Sequence, residues 1–380
     1  MKSGITLQNL AVEVDRVRRT KCDYLIPSSA LSMRTLPDRS GNRPTMAFEA
    51  PAGLQQLGLT EVARRQLADK LRIPFAYFQR MQEQQPTLLD ANVNTWLDSE
   101  GSETRMIRTL DGNVRAVLSK RYRPIDNWQV AEWVLPLLNA FDDARVESCA
   151  LTETRMFLKV VTPRVTEEVA PGDLVQAGVV ISNSEVGHGS LHVQPLVFRL
   201  RCRNGLVASE GTMRRAHIGR VLETNDDGVT VFQDDTLRAD DRAFMLKVRD
   251  VVKQAVSEST LRLVVDRMRR TTGIVIEGSP VRTVEVLADR YALNEEEQGG
   301  VLRHLITGGD LSGYGLVNAV TAYSQEVTDY QRATDFEELG GKLLDLSAQG
   351  WRELAQSRKP LLELTASNDA ESRTEELAAA

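Results

Sequence analysis

Between residues 104 and 203 the chain breaks into short apolar runs separated by turns, and a succession of that kind is satisfied by a sheet. Residues 105–109 and 114–119 flank Asp111-Gly112-Asn113, side chains that tolerate the positive φ of a tight hairpin. A helix follows over PIDNWQVAEWVLPLLNAF, with Asp126 or Asn127 as its N-cap and Val130, Val134 and Leu137 at helical spacing; Pro136 is placed to kink it. Residues 144–150 and 155–161 meet at the LTET turn, and residues 173–182 and 190–203 flank the polar, glycine-rich NSEVGHG. Two strands, a helix and four strands predict an α+β fold, a mainly antiparallel central sheet with a helix packed on it.

What surrounds this core is more helical. The first hundred residues hold the basic VDRVRRTK, an extended DYLIPSSAL and a turn-rich LPDRSGNRP, then a helical pair. Thr60 caps a helix whose apolar face is Val62, Leu67 and Leu71; Pro74 interrupts it, and Phe75, Phe78 and Met81 mark the second. Two short helices about a sharp turn are the shape of a DNA-reading helix-turn-helix and, more commonly, of an αα-corner that packs its apolar sides. Beyond TNDDG, residues 235–270 contain no Gly or Pro and alternate in charge, which predicts one helix of up to about ten turns. Shorter helices are expected near 281–291, 294–305, 316–327 and 335–346, and the acidic NDAESRTEELAAA has no core pattern. The expected division is a mixed N-terminal region with the helical pair over 1–100, an antiparallel β-rich core over 101–234, a helical C-terminal region over 235–365 and a flexible acidic tail over 366–380.

Composition supports a packed chain: 42% of the residues are hydrophobic and 26% charged, so collagen-like and wholly disordered readings fail. No run of about 18 apolar residues occurs, and MKSGITLQNL lacks the apolar stretch of a signal peptide. The expected location is the host-cell cytoplasm, with no membrane partner. Cys22, Cys149 and Cys202 are scattered without a CxxC pair, which argues against a disulfide framework and a structural zinc. Net charge is −6, yet residues 105–123 and 199–220 each carry six Arg or Lys against one carboxylate. A local basic surface on an acidic chain attracts phosphate backbones or acidic partners, unless carboxylates elsewhere in the fold neutralise it.

The arginines have a pattern. In one continuous strand Arg199, Arg201 and Arg203 share a face about 6.5–7 Å apart, a spacing that follows the phosphates of an extended single strand. Arg115 and Arg121 fall together on an extended 114–121, and Tyr122 between Arg121 and Arg123 is placed to stack on a base. Arg214 and Arg215, next to His217, extend the basic set, and Asn183 and Ser184 open a loop that brings backbone N–H groups toward a ligand oxygen without being a P-loop. His188 and His192 are four apart near Glu185, but side chains at i and i+4 converge on a helix, and Gly189 argues against one. No metal site, catalytic set or cofactor is expected, and His304 reads as structural.

The stretches VLSKRYRPIDN, GVVISNSEVGHGSLHVQPLVFRLRCRNGLV, GLVNAVTAYSQEVTDYQRATDFEELGGKLL and RRQLADKLRIPFAYFQRM resemble a family of phage- and plasmid-borne proteins filed as a domain of unknown function, over roughly residues 20–350. Its strand order, with a helix after a hairpin and basic strands, is similar in kind to phage single-strand annealing proteins such as RecT and Erf. The resemblance and the arginines together imply a non-enzymatic accessory of phage or plasmid recombination and replication that binds single-stranded DNA. Its candidate contacts are Arg115, Arg121, Tyr122, Arg123, Asn183, Ser184, Arg199, Arg201, Arg203, Arg214 and Arg215. A second copy of the chain and a host or phage protein are further candidate partners. The alternatives are a metal-dependent enzyme acting on nucleic acid through Glu185, His188 and His192, and a protein-binding antagonist of a host system.

Overall fold

A computed structural model describes residues 1–38, 41–139, 141, 143–209, 212–215, 221–223, 229–231 and 234–355. The chain opens with α1 (Leu7–Thr20), capped by the Thr6 hydroxyl, which accepts the Asn9 N–H; VDRVRRTK therefore lies mostly on a helix. Next come β1 (Cys22–Pro27), β2 (Ser32–Asp38), β3 (Gly41–Ala50) and β4 (Gly53–Leu59), then α2 (Glu61–Lys70), α3 (Phe75–Gln84) and α4 (Pro86–Ser99), and the hairpin β5 (Thr104–Leu110) and β6 (Asn113–Ser119). LPDRSGNRP, read as turn-rich, lies largely on the β2–β3 hairpin. The Thr60 hydroxyl accepts the Ala63 N–H and starts α2, and Pro74 stands at the head of α3, so the helical pair forms where the sequence places it.

These strands form a six-stranded sheet in the order β1-β5-β6-β4-β3-β2, antiparallel except where Gly58 and Leu59 of β4 run parallel to β6. Helices α2, α3 and α4 cover one face, where Leu67, Phe78, Leu89, Val93 and Leu97 pack on Met33, Met46, Phe48 and Ile107. The helical pair is thus an αα-corner whose apolar sides are consumed by a sheet.

A second sheet begins after α5 (Asn127–Asn139), which carries Pro136 inside it: β7 (Arg145–Leu151), β8 (Met156–Glu168), β9 (Leu174–Asn183), β10 (Leu191–Arg199) and β11 (Asn204–Val207). Their order is β11-β10-β9-β8-β7, antiparallel throughout, with β12 (Met213–Arg215) on the other half of β10. The strands read as one sheet from sequence are therefore split over two. The hairpin 104–119 belongs to the first sheet, because β1 supplies β5 with an antiparallel partner from Cys22↔Thr109 to Pro27↔Thr104.

After the short ladder β13 (Val221–Glu223) and β14 (Val229–Val231), the C-terminal part is α6 (Asp234–Ala255), α7 (Glu258–Thr272), α8 (Pro280–Tyr291), α9 (Glu295–Gly308), α10 (Gly313–Tyr323), α11 (Tyr330–Leu344) and α12 (Ala348–Ala355). The single helix expected over 235–270 is broken at Ser257. Its hydroxyl takes the Thr260 N–H and caps α7, so Ser257 starts a new helix where charge alternation alone suggested continuity. The expected tail over 366–380 lies outside the described residues.

The second sheet is buried on both faces. Met156, Leu158, Val160, Val179 and Ile181 pack on α1, α5 and α6, while Phe157 on the opposite face meets Tyr330 of α11. Lys159 lies on that second face at 0% exposure; its ammonium donates to Glu337 Oε2 at 2.6 Å and Thr334 Oγ1 at 3.0 Å. Glu337, also 0% exposed, has no partner for Oε1. Removing one member of such a pair strands a charge in the core, at a cost of about 3–5 kcal/mol, whereas an apolar pair of similar volume is close to neutral. Lys159→Met is therefore expected to be strongly destabilising in urea melts and Lys159→Met/Glu337→Leu to recover most of the loss. A double variant no better than the single one would show that the pair is not energetically coupled.

Candidate functional site

Arg108 leads to the place where the two sheets meet. In β5 it shares a face with Met106, and across the hairpin that face continues through Ala116 and Leu118. The register shifts between Arg108 and Thr109: Arg108 pairs with Ala116, Thr109 with Val114, and Arg115 is the extra residue of a bulge. A bulge re-aims a side chain. Arg115 thereby reaches the same loop as Ala116, bonding Glu185 while Ala116 packs with Val186.

That loop is NSEVGHGS, between β9 and β10, and the first sheet holds it in place. Arg108 Nη1 donates to the Glu185 carbonyl at 2.6 Å, Gln66 Nε2 to the Val186 carbonyl at 2.6 Å, and the Tyr122 hydroxyl to the Ser184 carbonyl at 3.2 Å. The Glu185 carboxylate takes Arg115 Nη1 at 2.8 Å and the Asn127 N–H at the start of α5 at 2.6 Å. Asn183 donates to the Ile125 carbonyl and Asn127 Oδ1, and the Ser184 hydroxyl accepts the His188 N–H. Gly189 has φ +131°, and a Cβ there would stand 1.8 Å from Arg155 Nη2, so only glycine fits.

Arg108 is 0% exposed and sits in a fork of charges. Nε and Nη2 bond Asp23 at 2.9 and 3.0 Å, and Nη2 also bonds Asp126 at 2.7 Å; Lys21 reaches the second Asp126 oxygen. Burial works against the Arg108 charge, but Asp126 and Asp23 outweigh it and its pKa is raised. Burial likewise pushes the Asp126 carboxyl up, and Arg108 and Lys21 win by holding it below its usual range.

The candidate contacts separate into buried and exposed groups. Asn183 and Ser184, both 0% exposed, and Tyr122, 8% exposed, are structural anchors of the loop, and the Tyr122 ring is not presented for stacking. Burial raises the Tyr122 pKa further. Arg123 bonds Asp240 of α6 at 3.1 Å, and Arg121 lies exposed in the turn after β6. The stripe of Arg199, Arg201 and Arg203 does not form. β10 ends at Arg199, and Arg203, at φ +52°, closes a turn into β11, so the three never share a strand. Arg199 is locked to Asp173 through two bonds of 2.6 and 2.7 Å, with the Tyr314 hydroxyl on the same carboxylate. Arg203 bonds Glu147 at 3.1 Å, and Arg201 lines a groove of about 580 Å³ beside Arg199, Tyr314 and His304. His304 bonds Glu326. The backbone of Arg215 pairs with Leu191; His217 lies outside the described residues.

Two arginines remain at the loop. Arg214, directly across from His192, is exposed and donates to Ser190 Oγ at 3.1 Å. Arg155, half-buried, donates from Nε and Nη2 to the His188 carbonyl at 2.9 and 2.6 Å. No carboxylate bonds either guanidinium among the described residues; Glu338 and Asp335 of α11 act on Arg155 only through space. Burial lowers the pKa of His188 and His192, and Arg155 lowers both further, joined at His192 by Arg214. His192 Nε2 has no partner. The site is thus cationic and only partly compensated. Arg108 and Arg155 were not singled out from sequence. Arg108 at least falls within a basic segment, whereas an isolated Arg155 after a turn carries no signal. Glu185 has both oxygens engaged, and no cluster of three metal-ligating side chains occurs among the described residues.

The Asp126 anchor sets an acid dependence. Its depressed pKa contributes stability above the unfolded value of about 3.9, which is lost as pH falls through the lower folded value. Asp126→Asn is expected to lower the thermal midpoint at pH 7 and to flatten its fall below about pH 4. Equal acid slopes in both proteins would remove Asp126 as the titrating anchor.

Compared with known proteins, residues 114–345 match the family model described as "Domain of unknown function (DUF932)". No curated protein and no solved structure matches the chain.

Proposed function

The chain belongs to the DUF932 family, and on that premise we propose that it is a nucleic-acid-binding protein holding a phosphate backbone, single-stranded DNA in the first instance, over the loop between β9 and β10. The observation that carries the reading is the convergence of Arg155 and Arg214 on that loop without a bonded carboxylate among the described residues. Like charges gathered at a half-buried surface repel each other; burial depresses the two imidazoles and the arginines depress them further, and a bound phosphate offsets the second of these. Arg155 and Arg214 are the phosphate contacts in this reading. His188 and His192 join them when protonated, while Arg115, Tyr122, Asn183 and Ser184 shape the loop from beneath. Service to strand annealing or replication in a phage or plasmid is part of the same proposal.

Phosphate binding stabilises the protonated imidazoles, so complex formation takes up protons and affinity rises as pH falls below the ordinary imidazole value of about 6.5, beneath which both groups are held. Fluorescence anisotropy with a labelled mixed-sequence oligonucleotide tests this. Arg155→Gln and Arg214→Gln should each weaken binding and flatten the slope of log affinity against log salt by about 0.7 for each phosphate that is no longer neutralised. Binding that is absent at low salt, or unchanged in the double variant, would sink the proposal.

A further inference from the structure

Beneath the loop lies a cleft of about 400 Å³ that shares Arg155, but not Arg214, with the backbone contacts above. Its walls come from both halves of the chain: Glu13 and Val17 of α1, Asn113 at the start of β6, Thr152 and Thr154 of the β7–β8 turn, and Asn127 at the start of α5. Its volume is within the range of small-molecule sites, roughly 300–1,000 Å³, and such sites favour the junction of two structural units.

Arg115 lines this cleft at 8% exposure. Nη1 is committed to Glu185, while Nε and Nη2 are shielded from solvent and have no acceptor. A buried guanidinium with two unpartnered nitrogens is expensive, and an arginine fork can serve two anions at once. Four carboxylates share the wall: the Glu185 charge is met by Arg115 and the Asn127 N–H, Glu13 and Asp111 are both held by Arg16, and Glu153 stands on the β7–β8 turn without an ion pair among the described residues. Arg155, also on the cleft wall, is bonded only to a carbonyl. Around these cations stand three threonines, two asparagines and an apolar strip of Val14, Val17, Leu110 and Leu151. The lining suits a ligand with one phosphate, hydroxyls on a sugar and a flat apolar face.

We infer that the cleft is a binding site for one nucleotide bearing a 5′-phosphate, with Arg115 and Arg155 on the phosphate side. The choice of ligand rests on the nucleic-acid reading above. The nucleotide has two possible sources, a free mononucleotide or the phosphorylated 5′ end of a strand, and two arms of one experiment separate them.

Calorimetric titration of the full chain with dAMP reads the first source; anisotropy with matched oligonucleotides carrying a 5′-phosphate or a 5′-hydroxyl reads the second. Binding of dAMP, or tighter binding of the phosphorylated strand, supports the site. Thr154→Trp, which fills the cleft and leaves Arg115 in place, should weaken whichever is seen by about tenfold or more, the loss expected for a displaced charge-assisted hydrogen bond. Arg115→Lys keeps a cation for Glu185 but loses the fork, and should weaken it similarly. Absence of both dAMP binding and a 5′-phosphate preference, or insensitivity to Thr154→Trp, overturns the inference. If it fails while Arg214→Gln still weakens binding of the 5′-hydroxyl strand, backbone binding stands without the cleft site; if Arg155→Gln and Arg214→Gln change nothing, the backbone reading is the one that fails.

Discussion

A buried guanidinium underlies the junction of the two sheets. Arg108 meets Asp23 of β1, Asp126 ahead of α5 and the Glu185 carbonyl of the β9–β10 loop, so one fully buried side chain ties three segments together. Charge in that position is tolerable because each N–H direction it uses finds an acceptor and because Lys21 shares the excess of carboxylate. The loop has little regular backbone bonding of its own between Asn183 and Leu191, and its carbonyls at Ser184, Glu185 and Val186 each accept a side-chain donor from the first half of the chain. Whatever the loop binds, its shape is set from the other sheet.

The second sheet carries the opposite design, an apolar sandwich with one charged pair inside it. Alternation along β8 sends Met156, Leu158 and Val160 toward α1, α5 and α6, and Phe157, Lys159 and Val161 toward the other face. Lys159 there needs a carboxylate, and α11 supplies Glu337. This fixes the helix against the sheet in one rotational setting: Gly341 lies so close to β11 that a Cβ there would stand 2.0 Å from the Val207 carbonyl, and a Cβ on Gly340 would stand 2.3 Å from Thr321 of α10.

Electrostatics at the loop follow from how the fold spends its acids. Of the basic residues concentrated at 105–123, Arg105 goes to Glu100, Arg108 to Asp23 and Asp126, Arg115 to Glu185 and Arg123 to Asp240. The same happens to Arg199 and Arg203. The residual positive charge therefore sits not along a strand but at Arg155 and Arg214, which no carboxylate bonds among the described residues; Glu338 and Asp335 of α11 act on Arg155 only through space, and burial holds the Glu338 carboxyl above its usual range.

Local chemistry determined what the sequence could announce. The hydroxyls of Thr60 and Ser312 and the Asn294 and Asp329 side chains cap helices within three residues of themselves, and Asp111-Gly112, at φ +50° and +72°, turns a hairpin through its own backbone preference. The α+β class and most helices were legible for that reason. Partnership between distant segments was not. Arg199 was expected to be open, and the Asp173 that closes it lies 26 positions away on a neighbouring strand end; Arg108 finds Asp23 across 85. A one-residue bulge decides which face Arg115 occupies, and a left-handed Arg203 ends the strand that would have aligned three arginines. Coulomb energy depends on distance through space, and only the tertiary structure sets that distance; the sequence specifies which charges exist, and the fold decides which of them are left to meet a ligand.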